Sequence, residues 1–447
     1  MNMIGKDFLN IEKIHFVGVG GVSMSGLAKF CLMKGFSVSG SDRVSSAETK
    51  KLSALGGKIY IGHSAANVRG AELVVYSSAI DGDNPEIRYA VRNGIPILKR
   101  SELLGRILET YPYTVAVSGS HGKTTATAML AEILIADGRD PAVFLGGESK
   151  SFGNFRSGSG CAVAEACEYK RNFFDIRPDI AVVLNIDHDH VDTFKDKKSA
   201  AEAFAVFARG AKCVINADDD YARSISGVCS VTFGIKNPAC FTAKYISKDA
   251  EKAFTVYAYG RKLGRIKLKV AGEHNVYNAL AATAAARELN VGFSAIKTAL
   301  CAFDGVKRRN EYLGELCGAK CFADYAHHPT EIRAVLRALK EKTLVVFQPH
   351  TYSRTASLMN DFVDALRLPD GLIIYKTYPA REKYSAAGDA KTLYENAAKE
   401  YGQKVKYAGG RAELEREIRT LLKGYSRVLF LGAGDVYDVA KKMIKKM

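Results

Sequence analysis

Val115-Ala116-Val117-Ser118-Gly119-Ser120-His121-Gly122-Lys123-Thr124-Thr125 puts an apolar run directly before a glycine turn, and a helix-forming run, Ala126 to Ala136, directly after it. Gly138 closes that helix. Strand, glycine turn and helix start together make the setting of a phosphate cradle. Glycines let backbone N–H groups approach phosphate oxygens, and a helix N-terminus favours their negative charge. In such a loop Lys123 reaches the β- and γ-phosphates and the Thr124 hydroxyl sits on Mg²⁺. Val117 stands where the full pattern has a further glycine, so the loop is a shortened Gly-x-x-Gly-Lys-Thr. The opposing explanation is a Gly/Ser-rich turn that merely precedes a lysine.

Downstream, two strand patterns end in metal-binding side-chain types. Ala162-Val163-Ala164 runs into Glu165-Ala166-Cys167-Glu168, and Ile180 to Ile186 runs into Asp187-His188-Asp189-His190. Ligands gather at the carboxyl ends of parallel strands, so both ends are expected to face the phosphate loop. A carboxylate or imidazole there would help hold a cation beside the γ-phosphate. His190 is the expected inward ligand, His188 a surface residue, and Asp189 a turn cap. Asp218-Asp219-Asp220 follows the strand Cys213-Val214-Ile215 and is expected to cap a turn and start a helix. Phe241 to Val270 predicts a small antiparallel sheet. Asn275 and Asn278 then open an alanine-rich helix, where Asn side chains either cap the start or read an adenine edge.

Upstream, Ile14-His15-Phe16-Val17 feeds the glycine turn Gly18-Val19-Gly20-Gly21-Val22-Ser23-Met24-Ser25-Gly26 and a helix from Leu27 to Lys34. A strand to Ser39 follows, then Asp42, where an acidic residue would take a ribose hydroxyl. This is βαβ logic, with a nucleotide diphosphate site or a tight structural turn as the alternatives. Leu73 to Tyr76 is a further strand, ending in Ser77-Ser78. In the last third, Lys307-Arg308-Arg309 marks a boundary, its charges either closing onto phosphate or solvating a linker. Cys321-Phe322-Ala323 ends at Asp324-Tyr325-Ala326-His327-His328-Pro329-Thr330-Glu331, and Leu344 to Phe347 ends at Gln348-Pro349-His350-Thr351-Tyr352-Ser353-Arg354.

The chain has 447 residues, a length of about two to four domains, and a formal net charge of +16. The positive charge is dispersed, which favours small anionic metabolites over nucleic acid. Nine scattered cysteines without a framework fit reduced thiols and a cytoplasmic setting. No run of about 18 apolar residues is present, so no membrane insertion is expected.

Taken together, the Gly119–Thr125 loop, Glu165-Ala-Cys-Glu168, Asn185-Ile-Asp-His-Asp-His190, Gly272-Glu-His-Asn275-Val-Tyr-Asn278, Asp324 to Glu331 and Gln348 to Arg354 resemble the Mur ligase family in order and spacing. The resemblance implies an α/β protein of three domains. Residues 1–110 would be a Rossmann-like UDP-sugar unit, 111–307 an ATP-binding parallel sheet with a small antiparallel sheet, and 308–447 a Rossmann-like unit closing on ATP and amino acid. It implies ATP- and Mg²⁺-dependent amide synthesis. The Gly18–Gly26 turn and the Gln348–Arg354 segment are most similar to the branch that joins L-alanine to the lactyl carboxylate of UDP-N-acetylmuramate through an acyl phosphate. Murein-peptide ligase is the nearer alternative, and a nicotinamide-dependent oxidoreductase the alternative of another class.

By position, the resemblance implies that Lys123, Thr125 and the amides of Gly119, Ser120, His121 and Gly122 hold ATP phosphates. Thr124, Glu165 and His190 would bind the metal. Asn278 would meet the adenine, and Arg309 and Asp324 would contact ATP from the closing unit. His327, His350 and Arg354 would line the amino-acid and carboxylate side. Gly18, Gly20, Gly21, Ser23, Asp42 and Ser78 would hold the UDP-sugar. The protein would be a monomer or homodimer. Two departures stand out: Cys167-Glu168-Tyr169 replaces a more acidic family run, and Thr351 stands where many relatives have arginine. Ala205 and Phe207 occupy the region in which later ligases of the pathway carry a carbamylated lysine, so none is expected here.

Overall fold

The computed structural model describes residues 11–187, 193–225, 230–249, 251–380 and 382–445. Among these residues three sheets follow one another. The first contains β1 (Lys13–Val17), β2 (Ser37–Asp42), β3 (Lys58–Ile61), β4 (Leu73–Tyr76) and β5 (Ile97–Lys99), all parallel, in the order β3-β2-β1-β4-β5. The order reverses at β1, so the ends of β1 and β4 flank a crevice, where open α/β sheets take ligands. The first helix, Val22–Met33, starts directly after Gly21 and thus earlier than the sequence predicts. The turn is therefore Gly18–Gly21, and Ser23 lies in the first helical turn. Gly18 has φ +80°, a conformation that glycine adopts without strain.

The central sheet has ten strands: β6 (Thr114–Ser118), β7 (Pro141–Ser149), β8 (Gly153–Arg156), β9 (Cys161–Glu165), β10 (Ile180–Val183), β11 (Lys212–Asn216), β12 (Ser230–Gly234), β13 (Phe241–Lys244), β14 (Glu251–Ala258) and β15 (Arg261–Ala271). Their order is β15-β14-β13-β12-β11-β10-β6-β9-β7-β8. The antiparallel strands expected to form a sheet of their own instead extend the parallel one, because β13 pairs parallel with β12 before β14 and β15 turn back. β6 runs between β9 and β10, so the loop after Ser118 opens beside the ends of both. The helix Lys123–Ala136 begins at once after that loop, several residues before the predicted start.

The third sheet contains β16 (Glu311–Leu316), β17 (Ala319–Asp324), β18 (Thr343–Phe347), β19 (Gly371–Tyr375), β20 (Val405–Ala408) and β21 (Arg427–Leu431), in the order β16-β17-β21-β18-β19-β20. Only β16 is antiparallel. Among the described residues the cysteines are free, and no helix is long and apolar enough to cross a membrane.

The first two sheets share a core. Phe30 of the first helix packs against Phe144 and Phe155 of the β7–β8 hairpin, with ring centroids 5.8 and 6.1 Å away. Polar contacts reinforce the joint: the Asn154 side-chain amide donates to the Val22 carbonyl at 2.6 Å and to Ser25 Oγ at 2.8 Å. Lys29 Nζ donates to Asn154 Oδ1 and to Glu48, both at 2.6 Å. The other end of β7 bonds the linker, where Ser149 bridges Val306 and the Lys307 amide donates to the Glu148 carbonyl at 2.8 Å. The third sheet instead has apolar clusters of its own on both faces.

Gly105, in the helix Arg100–Leu108, sits against the Asp175 carbonyl of the central unit, and a Cβ there would strike that oxygen. A helix interior ordinarily gains about 1 kcal/mol from Gly→Ala. Here the sign reverses, and Gly105→Ala should destabilise by about 1–3 kcal/mol. Denaturant unfolding of the two proteins checks this, and an unchanged or raised midpoint would contradict it.

Candidate active site

The phosphate loop is held from below by the end of β10. Asn185 accepts from the His121 amide through Oδ1 at 2.8 Å and returns its side-chain amide to the His121 carbonyl at 3.0 Å. The Ser120 amide donates to the Asn185 carbonyl at 3.1 Å. In this structure the amides of Ser120 and His121 thus point inward to Asn185, unlike the sequence-based expectation that they face a ligand. The first N–H groups of a helix have no intrahelical acceptor, so Lys123, Thr124 and Thr125 present theirs at the loop mouth. Gly122 has φ +86°, and a Cβ there would lie 2.5 Å from Asn278 Oδ1. That close approach seats the loop on the helix Glu273–Glu288. Asn275 and Asn278 lie inside this helix, whose N-cap is Gly272, so neither caps its start.

Lys123 points back over the loop, donating to the Gly119 carbonyl at 2.5 Å and to Glu168 at 2.9 Å. Burial works against its charge, but Glu168, Cys167 and Glu165 outweigh that and hold the ammonium protonated. Thr124 Oγ1 donates to Glu165 Oε2 at 2.9 Å, and the Gly146 amide donates to the same oxygen at 2.7 Å. A Cβ on Gly146 would lie 2.9 Å from that carboxylate, so glycine leaves its face open. Two hard oxygen donors side by side at the mouth of a phosphate loop fit Mg²⁺. His188, Asp189 and His190 lie outside the described residues. Asp219 starts a helix as expected, accepting from the Ala222 amide at 2.8 Å, while Asp218 gathers the amides of Ile235, Lys236 and Asn237.

A cavity of about 870 Å³ opens beside the loop, lined by Gly122, Thr125, Asn278, His274, Arg309 and Asp324. Asp324 is buried and accepts the amides of Asn310 and Ala326 at 2.7 and 2.9 Å. Burial pushes its carboxyl pKa up. Burial lowers the His274 pKa to about 4, so this ring is neutral at pH 7. Of the basic corner, Lys307 pairs with Glu148 at 2.6 Å and Arg309 approaches Glu331 at 3.8 Å. Arg308 braces the third unit instead, donating to the carbonyls of Gly432 and Gly434 and lying over the rings of Tyr325 and Tyr437.

At the third sheet's strand ends, the rings of His327 and His350 are 5.7 Å apart, and Arg354 Nη1 is 3.4 Å from His350 Nδ1. Thr351 has φ +66°, a strained conformation for a β-branched residue. Its amide is held by the Tyr378 carbonyl at 2.9 Å. At the first sheet, the Gly20 amide donates to Asp42 Oδ2 at 2.9 Å, so Asp42 holds the glycine turn itself. The Ser78 carbonyl accepts from Lys170 Nζ of the central unit at 3.2 Å.

Family profiles described as "Mur ligase family, catalytic domain", "Mur ligase middle domain" and "Mur ligase, glutamate ligase domain" match residues 13–112, 117–286 and 308–434. The chain belongs to the Mur ligase family. This Mur ligase is 43% identical over 453 residues to a UDP-N-acetylmuramate–L-alanine ligase of Acetivibrio thermocellus, covering 97% of this chain and 96% of the relative. It is 40% identical over 449 residues to the enzyme of that name from Clostridium beijerinckii, covering 97% and 98%. The crystal structure of a UDP-N-acetylmuramate–alanine ligase from Thermotoga maritima superposes with a TM-score of 0.85 at 32% identity, over 97% of this chain and 98% of that one. The family resemblance read from the motifs is borne out, and the oxidoreductase alternative falls away.

Several residues of this Mur ligase escaped sequence reasoning. Asn185 and Glu331 stood inside quoted motifs with no role given. Glu331 carries a usable signal, lying three residues after His328, the N-cap of the helix Pro329–Arg337, in a capping box. Glu86 carries none. It is buried beyond β4, accepting from Ser41 Oγ at 2.5 Å, Asn67 Nδ2 at 2.7 Å and His63 Nδ1 at 2.9 Å. Burial opposes its charge, but His15, Ser41, Asn67 and His63 prevail and lower its pKa to about 2. A depressed carboxylate contributes stability above its unfolded pKa of about 4.3 and loses it as pH falls through the folded value. Glu86→Gln should therefore melt lower than the wild type at pH 7, and the gap should narrow between about pH 4.5 and pH 2. Thermal melts across that range check the sign; a gap that widens towards acid would refute it.

Proposed function

We propose that this Mur ligase joins L-alanine to the lactyl carboxylate of UDP-N-acetylmuramate, using ATP, in the synthesis of peptidoglycan precursors. The observation that carries this is the phosphate loop itself, with a buried charged lysine and a Thr124–Glu165 oxygen pair at its mouth. Full-length similarity to ligases of that name points to the substrate pair. The setting is the cytoplasm.

In the proposed reaction Lys123 and the amides at the start of its helix hold the ATP phosphates, and the adenine end enters the cavity beside Asn278 and Arg309. Thr124 and Glu165, with His190, would hold Mg²⁺, which would supply neutralisation of phosphate charge. The substrate carboxylate attacks the γ-phosphorus, the bond to the β-phosphate oxygen breaks, and ADP leaves with the electron pair. The resulting acyl phosphate is attacked by the neutral amine of L-alanine. The tetrahedral adduct expels inorganic phosphate, and the amine releases a proton. Such chemistry depends on positioning and charge neutralisation more than on covalent help from the protein. His327, His350 and Arg354 form the amino-acid side, Arg354 being suited to a carboxylate. Gly18, Gly20, Gly21, Ser23, Asp42 and Ser78 border the crevice for the UDP-sugar. Residues 1–110, 111–307 and 308–447 thus serve sugar, ATP and amino acid in turn.

Phosphate release from ATP is the direct test. It should require UDP-N-acetylmuramate, L-alanine and Mg²⁺ together, and Lys123→Ala should lower kcat by about a thousandfold or more. Turnover with a UDP-sugar that already bears alanine, and none with free L-alanine, would assign a neighbouring step of the pathway instead.

A further inference from the structure

Among the described residues the third unit shares no apolar cluster with the second, and polar contacts join it to the phosphate loop. Those contacts converge on two carboxylates. Asp187, just beyond β10, accepts from His121 Nε2 at 3.2 Å and from Lys197 Nζ at 3.0 Å, both from the central unit. Across the gap, Thr330 Oγ1 of the third unit donates to Asp187 Oδ2 at 2.7 Å. Glu331 mirrors this arrangement from the other side. Its Oε1 lies 3.3 Å from His121 Nδ1, and its Oε2 accepts the His327 amide at 3.0 Å.

His121 therefore stands between a carboxylate of its own unit and one of the next. The backbone below it is fixed, since Asp187 N donates to Ser120 Oγ at 2.8 Å and Asn185 brackets the His121 peptide. On the far side, Thr330 and Glu331 occupy the first turn of a helix whose N-cap and capping box hold them rigidly. Glu331 thus reaches the phosphate loop with one oxygen and the backbone of His327 with the other. His121, Asp187 and His328 also bring possible metal-ligand atoms within 4.8 Å of one another. Lys197 and Thr330 already fill the Asp187 oxygens, however, and a hydrogen-bonded clasp accounts for the set without an ion.

We propose that Asp187 and Glu331, acting through His121 and Thr330, are positioning residues that set the third unit in register on the phosphate loop. The clasp brings the His327 side of the site up to the phosphate loop. It rests on the ligase function proposed above. Both carboxylates stay ionised at working pH: burial opposes this, but His121, Thr330 and Lys197 hold Asp187 below the usual range, and His327, His121 and Arg309 do the same for Glu331.

Thr330→Val removes the crossing donor while keeping the side-chain volume. It should raise the KM for L-alanine about tenfold, the scale of one hydrogen bond to a charged group. The KM for UDP-N-acetylmuramate should stay within about twofold. Thr330→Ser, which keeps the donor, should restore the KM for L-alanine to within about twofold of wild type. In an Asp187→Asn background, Thr330→Val should add little, since the acceptor is already weakened. A wild-type KM for L-alanine in Thr330→Val, an equal defect in Thr330→Ser, or effects that multiply in the double variant would each overturn the clasp. Amide exchange over residues 329–337 reads the same contact without turnover and should speed up in Thr330→Val. Unchanged exchange there would also overturn the clasp, whereas a wild-type protein that fails to use L-alanine would overturn only the proposed substrate.

Discussion

An ammonium group taken out of water must meet negative charge or carbonyl oxygen, and around Lys123 that requirement organises the centre of the molecule. Its Nζ has the Gly119 carbonyl and the Glu168 carboxylate within hydrogen-bond reach. Removing one partner of such a buried pair leaves an uncompensated charge, an expensive state in a low-dielectric interior. The loop folds over the lysine, Gly122 lies close against Asn278, and the end of β9 places Glu165 beside Thr124. Incoming phosphate oxygens would offer the lysine further acceptors at a mouth that is already shaped. In the proposed reaction, the charge that would hold the nucleotide is thus the same charge that the loop already folds around.

The central strand, turn and helix were legible because local chemistry dictates them: a β-branched run, glycines where positive φ is needed, then good helix formers. Strands of the third unit were legible for the same reason, as short apolar runs ending in polar clusters. Boundaries were less so. The first helix begins at Val22, since Ser23, Met24 and Ser25 have no strong helical pattern and are recruited by packing against the β7–β8 hairpin. The strands after Phe241 looked like a separate sheet, since alternation along a strand says nothing about which neighbour it pairs with. Asn275 and Asn278 resembled caps, yet the helix starts at Glu273 and both side chains are interior.

Within the site, residues that act on a ligand through their own chemistry were easier to find than residues that hold other residues. Lys123, Thr124 and Glu165 follow from the needs of a phosphate and a hard cation, and the structure brings them together. Asp187 and Glu331 work through partners more than 140 residues away in sequence, such as Asp187 with Thr330. The capping box marks Glu331 as the start of a helix, but nothing local in the sequence points to its partner in the other unit or to that of Asp187. Glu168 is a related case: beside Cys167 it looked like a depleted acidic run, yet it is the buried counter-charge of the loop lysine.

The β7–β8 hairpin touches both ends of this system. Asn154 near its tip is bonded to the first helix, and Glu148 at the close of β7 is bonded to the linker at Lys307. One pair of edge strands of the central sheet thus fastens both the first helix and the linker to the same body.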